Sequence, residues 1–503
     1  MSQIKFGTDG WRAIVADTFT FANVQRVTQA IANYVNQHDL GSKGVVVGYD
    51  NRFLADRFAA TVTEVLLGNQ IPVYLLPGGT PTPVTAFMIQ HYQAAGAVML
   101  TASHNPPEYN GIKFIPEYAG PALPALTDEI ESYLHKILAE TESKGVTRSK
   151  PEGGSGEAGE AGPALEGKIS HRVRSLPLEK GRQAGNLKEV EPKAAYLEQL
   201  QSVVDVAGIR RRPLKVVVDP MYGCGIGYLD EFLRVLGCQV EAIHTHRDPL
   251  FGGIVPEPMG KWLADLQEAV IRSNADLGLA TDGDADRFGV VDRKGRYISA
   301  NQVLYLLLHY LLQTRKYRGP VARTVATTHM LDRIARRYSL EVEETAVGFK
   351  FIGQSLLERG ALLGGEESGG LSIHGHVPEK DGILAAALVT EMVAVSGQDP
   401  VQLMETVAAQ YGELISERID IHTSLKDKQR ILETLKDFYP AAVAGFPVIK
   451  RIAHDGVKLQ LEGDNWLLIR ASGTEPLFRL YVEAGNEKSM RSIQADARRL
   501  LGL

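Results

Sequence analysis

Cysteine is almost missing from this chain: Cys224 and Cys238 are the only two among 503 residues. Two thiols cannot staple several domains, and no Cys-x-x-Cys spacing exists to hold zinc. The expectation is a protein of a reducing compartment, read as the cytoplasm. Long apolar runs are missing too. The longest stretches, such as 303–312, are interrupted by polar groups and too short to span a bilayer. The first eleven residues lack the apolar stretch of a secretory signal, so none is expected. A large charge of one sign is also lacking. The net charge of -6 argues against bulk attraction to nucleic acid or to an anionic membrane, and neither is expected as a partner. An anionic ligand would need a locally basic pocket.

What is present is an ordinary globular composition, 44% hydrophobic and 23% charged, which excludes disorder over most of the length. At this size one hydrophobic core is not enough, and three to four domains are expected. The order of elements repeats. Residues 45–50 read as a buried strand, 57–68 as a helix and 71–76 as a strand. A further helix and the apolar run 97–100 then lead into the polar loop 101–110. The same order returns from Leu214, with strands at 216–219 and 239–243, helices at 227–237 and 263–273, and an apolar run ending in the acidic loop 281–287. A shorter third copy starts at Val321 and ends in the loop 365–370. Alternation of this kind predicts α/β units with parallel strands, whose ligands gather beyond the strand C-termini.

After about Gly412 the pattern changes to a smaller α+β domain. The predicted organisation is thus three similar mixed α/β domains, 1–141, 192–299 and 300–412, plus the α+β domain 413–503, around a central cleft. The segment 142–191 is rich in Gly, Glu, Lys and Pro and has almost no apolar periodicity. It is expected to be a largely disordered insertion.

Four loops carry chemistry. In Asp282-Gly283-Asp284-Ala285-Asp286-Arg287 the carboxylates alternate with small residues. Carboxylates this close repel one another unless a cation joins them, and hard oxygen ligands select Mg²⁺, Ca²⁺ or Mn²⁺ over zinc. It is no EF-hand, because Arg293 stands where the twelfth-position glutamate belongs. The alternative is a solvated acidic turn. Ser103, directly after a strand and before His104 and Asn105, is a candidate nucleophile that needs a base or a metal to activate it. A Ser-His hydrolase is disfavoured because no Gly-x-Ser-x-Gly elbow surrounds it; a turn-capping serine stays open. Arg470 followed by Ser472, Gly473 and Thr474 makes a dianion cradle, without the Gly-Lys-Ser/Thr ending of a nucleotide loop. A capped strand–turn–helix junction is the plainer alternative. Glu366 and Ser368 offer acceptors suited to sugar hydroxyls. His244, His246, His374 and His376 pair up in sequence but have no acidic partner in motif, and read as structural or loop histidines.

Taken together, Phe6 to Arg12, Thr101 to Pro106, Asp282 to Arg287, Gly365 to Gly369 and Arg470 to Pro476 resemble, in order, the motifs of the α-D-phosphohexomutases, the phosphoglucomutase/phosphomannomutase superfamily. The resemblance implies a four-domain enzyme in which Ser103 is phosphorylated at rest. One Mg²⁺ would bridge it to Asp282, Asp284 and Asp286. It further implies reversible phosphoryl transfer between the 1- and 6-positions of a hexose phosphate, through a hexose 1,6-bisphosphate that reorients in the cleft. Arg12 and Arg287 would neutralise the moving group, and Lys113 and His104 match positions beside it. Lys350, Glu366 and Ser368 match substrate contacts, while Arg470, Ser472, Gly473 and Thr474 would hold the phosphate that is not reacting.

One departure bears on the substrate. Where phosphomannomutases and phosphoglucosamine enzymes of the family usually have Ser-Gly-His, this chain has Ser368-Gly369-Gly370. That tilts the expectation toward glucose 1-phosphate and glucose 6-phosphate, with glucose 1,6-bisphosphate as activator. A phosphomannomutase or bifunctional enzyme is the alternative. A catalytically dead phosphosugar-binding protein is disfavoured, since no site residue is missing.

Overall fold

Val45–Tyr49, Lys215–Asp219 and Val321–Thr324 are short runs buried along nearly their whole length, as strands covered on both faces must be. In the computed structural model, which describes residues 4–7, 10–145, 169–472 and 476–502, each lies inside its own sheet between two parallel neighbours. Those neighbours are Val73–Leu75 and Gly96–Leu100 in the first sheet, and Gln239–Ala242 and Leu277–Thr281 in the second. In the third they are Val342–Thr345 and Leu363–Gly365. Helices such as Ala55–Gly68 and Thr82–Tyr92 make the crossovers.

The mixed character of these sheets has one source. After Gly96–Leu100, Leu277–Thr281 and Leu363–Gly365 the chain turns back and pairs antiparallel, as Tyr109–Pro116, Phe288–Asp292 and Leu371–Ile373 respectively. The three polar loops singled out in the sequence are therefore the connections of three equivalent hairpins. The fourth sheet is antiparallel throughout, six strands between Ile415 and Ala484, and is covered by the helices Leu425–Lys436 and Glu487–Leu501.

The cores do not divide as the sheets do. The first and fourth sheets each have their own apolar cluster, but one cluster runs through the second and third. The helix Gly382–Ser396 explains why. It is buried on almost every face, and it packs on strands Leu277–Thr281 and Phe288–Asp292 of the neighbouring sheet. Each of its buried side chains such as Leu384 or Leu388 contributes roughly 1.5–3 kcal/mol. The Gly382 N–H donates to the Ala285 carbonyl at 3.1 Å, so this helix begins against the acidic loop.

The expectation of a largely disordered 142–191 is corrected at both ends. The helix Pro124–Gly145 runs past residue 142, and Leu178–Gln183 is helical. Leu187–Glu189 is an edge strand of the first sheet, parallel to Val73–Leu75. Its stabilisation comes from ladder hydrogen bonds and a single buried leucine, which apolar periodicity does not register. Residues 146–168 of that segment lie outside the described residues. Among the described residues, no helix is long and apolar enough to cross a membrane.

Candidate active site

Gly96–Leu100 delivers the chain into a tight turn in which Ser103 takes a left-handed backbone, φ 51°, uncommon for a residue with a side chain. Such a conformation persists only where its surroundings fix it. Here the Ser103 N–H donates to Thr101 Oγ1 at 2.8 Å. The larger constraint is Arg52, fully buried, whose guanidinium donates to four carbonyls of this loop and its exit: Ser103 and Asn105 at 2.6 Å, Pro106 at 2.8 Å and Tyr109 at 3.0 Å. Asp50, also buried, balances its charge at 3.1 Å. Neither Asp50 nor Arg52 was assigned a role from sequence. The available signal was the polar turn Asp50-Asn51-Arg52 after the first buried strand.

The Ser103 hydroxyl reaches across to the second sheet. It donates to Asp282 Oδ2 at 2.9 Å and lies 3.2 Å from His104 Nδ1. Burial, with Arg287 and Arg12 nearby, holds the His104 imidazole well below its ordinary range, so the ring is neutral at pH 7. Arg12, on strand Trp11–Ile14, donates to Asn105 Oδ1 at 2.8 Å and so joins the same loop.

Asp282, Asp284 and Asp286 are all buried and present one oxygen each within 4.8 Å of one another. Asp282 is pushed up by burial and by the two neighbouring carboxylates. Burial also opposes ionisation of Asp286, but Lys380, Lys113 and Arg287 outweigh it and hold that carboxyl well below the usual range. Lys113 Nζ bridges Asp284 Oδ2 at 2.8 Å and Asp286 Oδ2 at 3.1 Å, and Lys380 Nζ lies 3.2 Å from Asp286 Oδ2. Thr82 donates to Asp284 Oδ2 at 2.6 Å. Asp284 Oδ1 and Asp286 Oδ1 are buried with no hydrogen-bond donor. Buried oxygens of hard ligands, orphaned and converging, fit a hard divalent cation. Among the described residues, no other group of three or more such side chains converges this way.

The third loop abuts the second: Phe288 N–H donates to Gly369 O at 3.3 Å. Glu366 is buried, and its Oε1 accepts the Gly348 N–H at 3.0 Å. Ser368 is half-buried in the same turn. Gly370 has a steric reason. A Cβ there would meet Lys380 Cδ at 2.7 Å, so the lysine stem occupies the space a side chain at 370 would need. Lys380 was missed in sequence; its trace was the polar Glu379-Lys380-Asp381 opening an otherwise apolar helix.

The remaining candidates stand further off. Lys350 sits in the first turn of Phe349–Glu358, its Nζ 5.5 Å from the Phe351 ring centre. Arg470, at the end of strand Trp466–Ala471, donates through Nε to Asp455 Oδ1 at 3.0 Å. Ser472 is buried; its N–H bonds Leu477 O, and its carbonyl accepts Lys428 Nζ at 2.7 Å. Gly473 and Thr474 lie outside the described residues. The histidine pairs belong to other surroundings. His244 bonds Asp219 and His376 bonds Asp381, while His374 stacks on Tyr317.

Four family models match the chain in order. They are described as phosphoglucomutase/phosphomannomutase alpha/beta/alpha domain I over 3–141, domain II over 194–295, domain III over 299–411 and the C-terminal domain over 427–500. A phosphoglucomutase/phosphomannomutase of Thermococcus kodakarensis is 30% identical, covering 97% of this chain and 96% of its own. A "Probable phosphoglucosamine mutase" of Pyrococcus furiosus is 32% identical, covering 99% and 97%. A crystal structure from Thermus thermophilus, assigned as a phosphomannomutase, superposes with TM-score 0.81 at 33% identity, covering 99% of both chains. Three hairpin loops meeting around buried carboxylates, and four matching domains over nearly the whole length, lead to one conclusion: the chain belongs to the phosphoglucomutase/phosphomannomutase family and is a phosphohexomutase, an isomerase.

Proposed function

We propose that the chain interconverts glucose 1-phosphate and glucose 6-phosphate, with Ser103 as the phosphoryl carrier. The observation that carries this reading is the 2.9 Å bond from the Ser103 hydroxyl to Asp282. It puts the hydroxyl at the turn of the first loop against the carboxylate cluster of the second. The unmodified Ser103 Oγ stands in for the bridging oxygen of phosphoserine.

In the forward step the Ser103 Oγ–phosphorus bond breaks as a sugar hydroxyl bonds to phosphorus. The proton lost by the sugar hydroxyl is passed on through His104, which burial keeps neutral and which lies 3.2 Å from Ser103 Oγ, to that departing oxygen, so the serine leaves as a hydroxyl and the ring ends as it began. In the return step the other phosphate moves to Ser103 and the proton goes back, so nothing is consumed. Asp282, Asp284 and Asp286 would hold one Mg²⁺, which supplies charge neutralisation on the transferring group. Arg12 and Arg287 add fixed positive charge. Lys113, bridging Asp284 and Asp286, ties the strand after the serine loop to the acidic loop. Glu366, Ser368 and Lys350 orient the sugar, and Arg470, Ser472, Gly473 and Thr474 grip the idle phosphate. Cys224 and Cys238 are unpaired and buried, which supports a cytoplasmic location.

The substrate assignment rests on Gly370, which leaves no imidazole beside Ser368. A second reading, an aminosugar phosphate, is favoured by the name of the Pyrococcus furiosus relative. Incubation with Mg²⁺, a trace of glucose 1,6-bisphosphate and, in turn, glucose, mannose and glucosamine 1-phosphates is expected to rank glucose first by kcat/KM, with 6-phosphate appearing and no free phosphate. Faster turnover of glucosamine 1-phosphate would replace the glucose reading, and released phosphate would replace the mutase.

Chelation is expected to abolish turnover and to lower thermal stability, because three buried carboxylates then face one another with Lys113 and Lys380 offsetting Asp284 and Asp286 but no cation joining Asp282 to them. Mg²⁺ restores both. Full activity after exhaustive EDTA dialysis would rule out the aspartate cluster as a required metal site.

A further inference from the structure

Among the contacts by which the fourth domain meets the third, beside the apolar cluster of Val325, Ala326, Trp466, Leu468 and Tyr481, two polar ones differ in character. The deep one is Lys458, on strand Val457–Leu461, whose ammonium is buried against the third domain. It donates to Val325 O at 2.8 Å and Glu344 Oε2 at 2.6 Å, and lies 2.9 Å from His329 Nε2. The shallow one lies three residues earlier, in the turn that precedes the same strand. Asp455 Oδ1 accepts Arg470 Nε at 3.0 Å, and its Oδ2 accepts the Val347 N–H at 2.9 Å.

Three details make this more than a surface pair. The next amide along, Gly348 N–H, donates to Glu366 Oε1 at 3.0 Å. Two consecutive N–H groups thus hold the carboxylate that steadies Arg470 and the carboxylate of the sugar loop. Lys350 follows two residues later in the same segment. Second, Asp455 engages the Nε edge of the guanidinium and does not take up its two terminal nitrogens, the pair that grips a phosphate in bidentate fashion. Third, Gly456, at φ 85°, lets the turn close on the same arginine: a Cβ there would meet the Ile469 carbonyl and Arg470 Cγ, the latter at 2.7 Å, so the stem lies against a residue without a side chain.

We propose that Asp455 is a positioning residue. It sets the rotation of the Arg470 guanidinium and latches it to the 347–350 segment, so that the idle phosphate and the sugar are gripped in one fixed relation. This rests on Arg470 being the phosphate-binding arginine. The latch acts on binding alone, since the idle phosphate does not change as the other one moves.

The test compares Asp455→Asn, Asp455→Glu, Arg470→Ala and the double variant Asp455→Asn/Arg470→Ala in the full chain. The substrate is the hexose 1-phosphate it turns over fastest. An asparagine presents an N–H to one of the two donors that Asp455 now satisfies. Asp455→Asn is expected to raise KM roughly tenfold with kcat within about twofold, the pattern of lost uniform binding. Asp455→Glu, which keeps the carboxylate, recovers part of that loss. In the Arg470→Ala background the Asp455 change adds nothing further. Asp455 is partly exposed, and its asparagine variant melts with the wild type.

An unchanged KM in Asp455→Asn, while Arg470→Ala raises it, overturns the latch and leaves the phosphate reading standing. So do independent, multiplicative effects of the two changes, or a fall in kcat that tracks a fall in melting temperature. An unchanged KM in Arg470→Ala overturns both.

Discussion

Replacing Ser103 by alanine is expected to cost about three orders of magnitude or more in mutase turnover while leaving the fold nearly untouched. No neighbouring hydroxyl can take over. Thr101 Oγ1 is held as the acceptor of the Ser103 N–H, and Thr82 Oγ1 is committed to Asp284. The stability change is small because alanine fits the same backbone and gives up two contacts of the hydroxyl, one to His104 and one to a carboxylate already crowded by two others. That loss is on the order of 1 kcal/mol or less. Two measurements separate the outcomes. Isomerisation of the hexose 1-phosphate reports the chemistry, and intact-protein mass reports a stable phosphoryl group on wild type that the variant lacks. An alanine variant that still turns over at the wild-type rate would remove Ser103 from the reaction.

The second large effect concerns a residue that touches no substrate. Arg52→Met keeps the length of the side chain and removes its charge and all its donors. Asp50 would then be buried without a counter-charge; burial already raises its carboxyl to about 6 with Arg52 in place. The carbonyls of Ser103, Asn105, Pro106 and Tyr109 would lose their donor at the same time. Breaking a buried pair in this way costs about 3–5 kcal/mol. The cost is read as a shift of the first unfolding transition in denaturant. Turnover is expected to fall with it, because the left-handed turn at Ser103 is no longer imposed. Adding Asp50→Asn should restore part of the stability, since the orphaned charge is gone, yet none of the activity. Arg52→Lys is no substitute: one ammonium cannot serve four carbonyls spread across a planar fork. Wild-type unfolding and turnover in Arg52→Met would show that the loop holds its shape without it.

How far such a site can be read from sequence depends on where its information lies. The three equivalent loops were legible because each follows a buried strand, and such strands announce themselves as unbroken apolar runs. The acidic loop was legible because three carboxylates at alternate positions demand an explanation wherever they occur. The return strands were harder. Tyr109–Pro116 carries Asn110 and Lys113, both buried, so its composition does not alternate as a half-buried strand should. Residues 178–189 misled for the opposite reason: in a charged segment only Leu178 and Leu187 pack on the first core, and Leu187–Glu189 is ordered by backbone pairing to Val73–Leu75, which leaves no compositional trace. Arg52, Lys380 and Asp455 were illegible because each acts on a partner fixed only by the fold. Asp455 lies 15 positions before Arg470 but faces it because the intervening strands pair antiparallel.

The shared core of the second and third sheets has a consequence for how the molecule yields under load. Those sheets are parts of one cooperative block, with the helix Gly382–Ser396 as its interior, so neither can melt and leave the other standing. The acidic loop and the loop of Glu366 therefore keep a constant separation. The first and fourth sheets carry Ser103 and Arg470 and have main cores of their own; they are joined to the block by polar contacts and by small apolar ones, Val84 and Val377 on one side and Trp466 against Val325 on the other. Relative movement within the molecule is thus expected first at its two outer bodies. The middle pair supplies the fixed frame of reference.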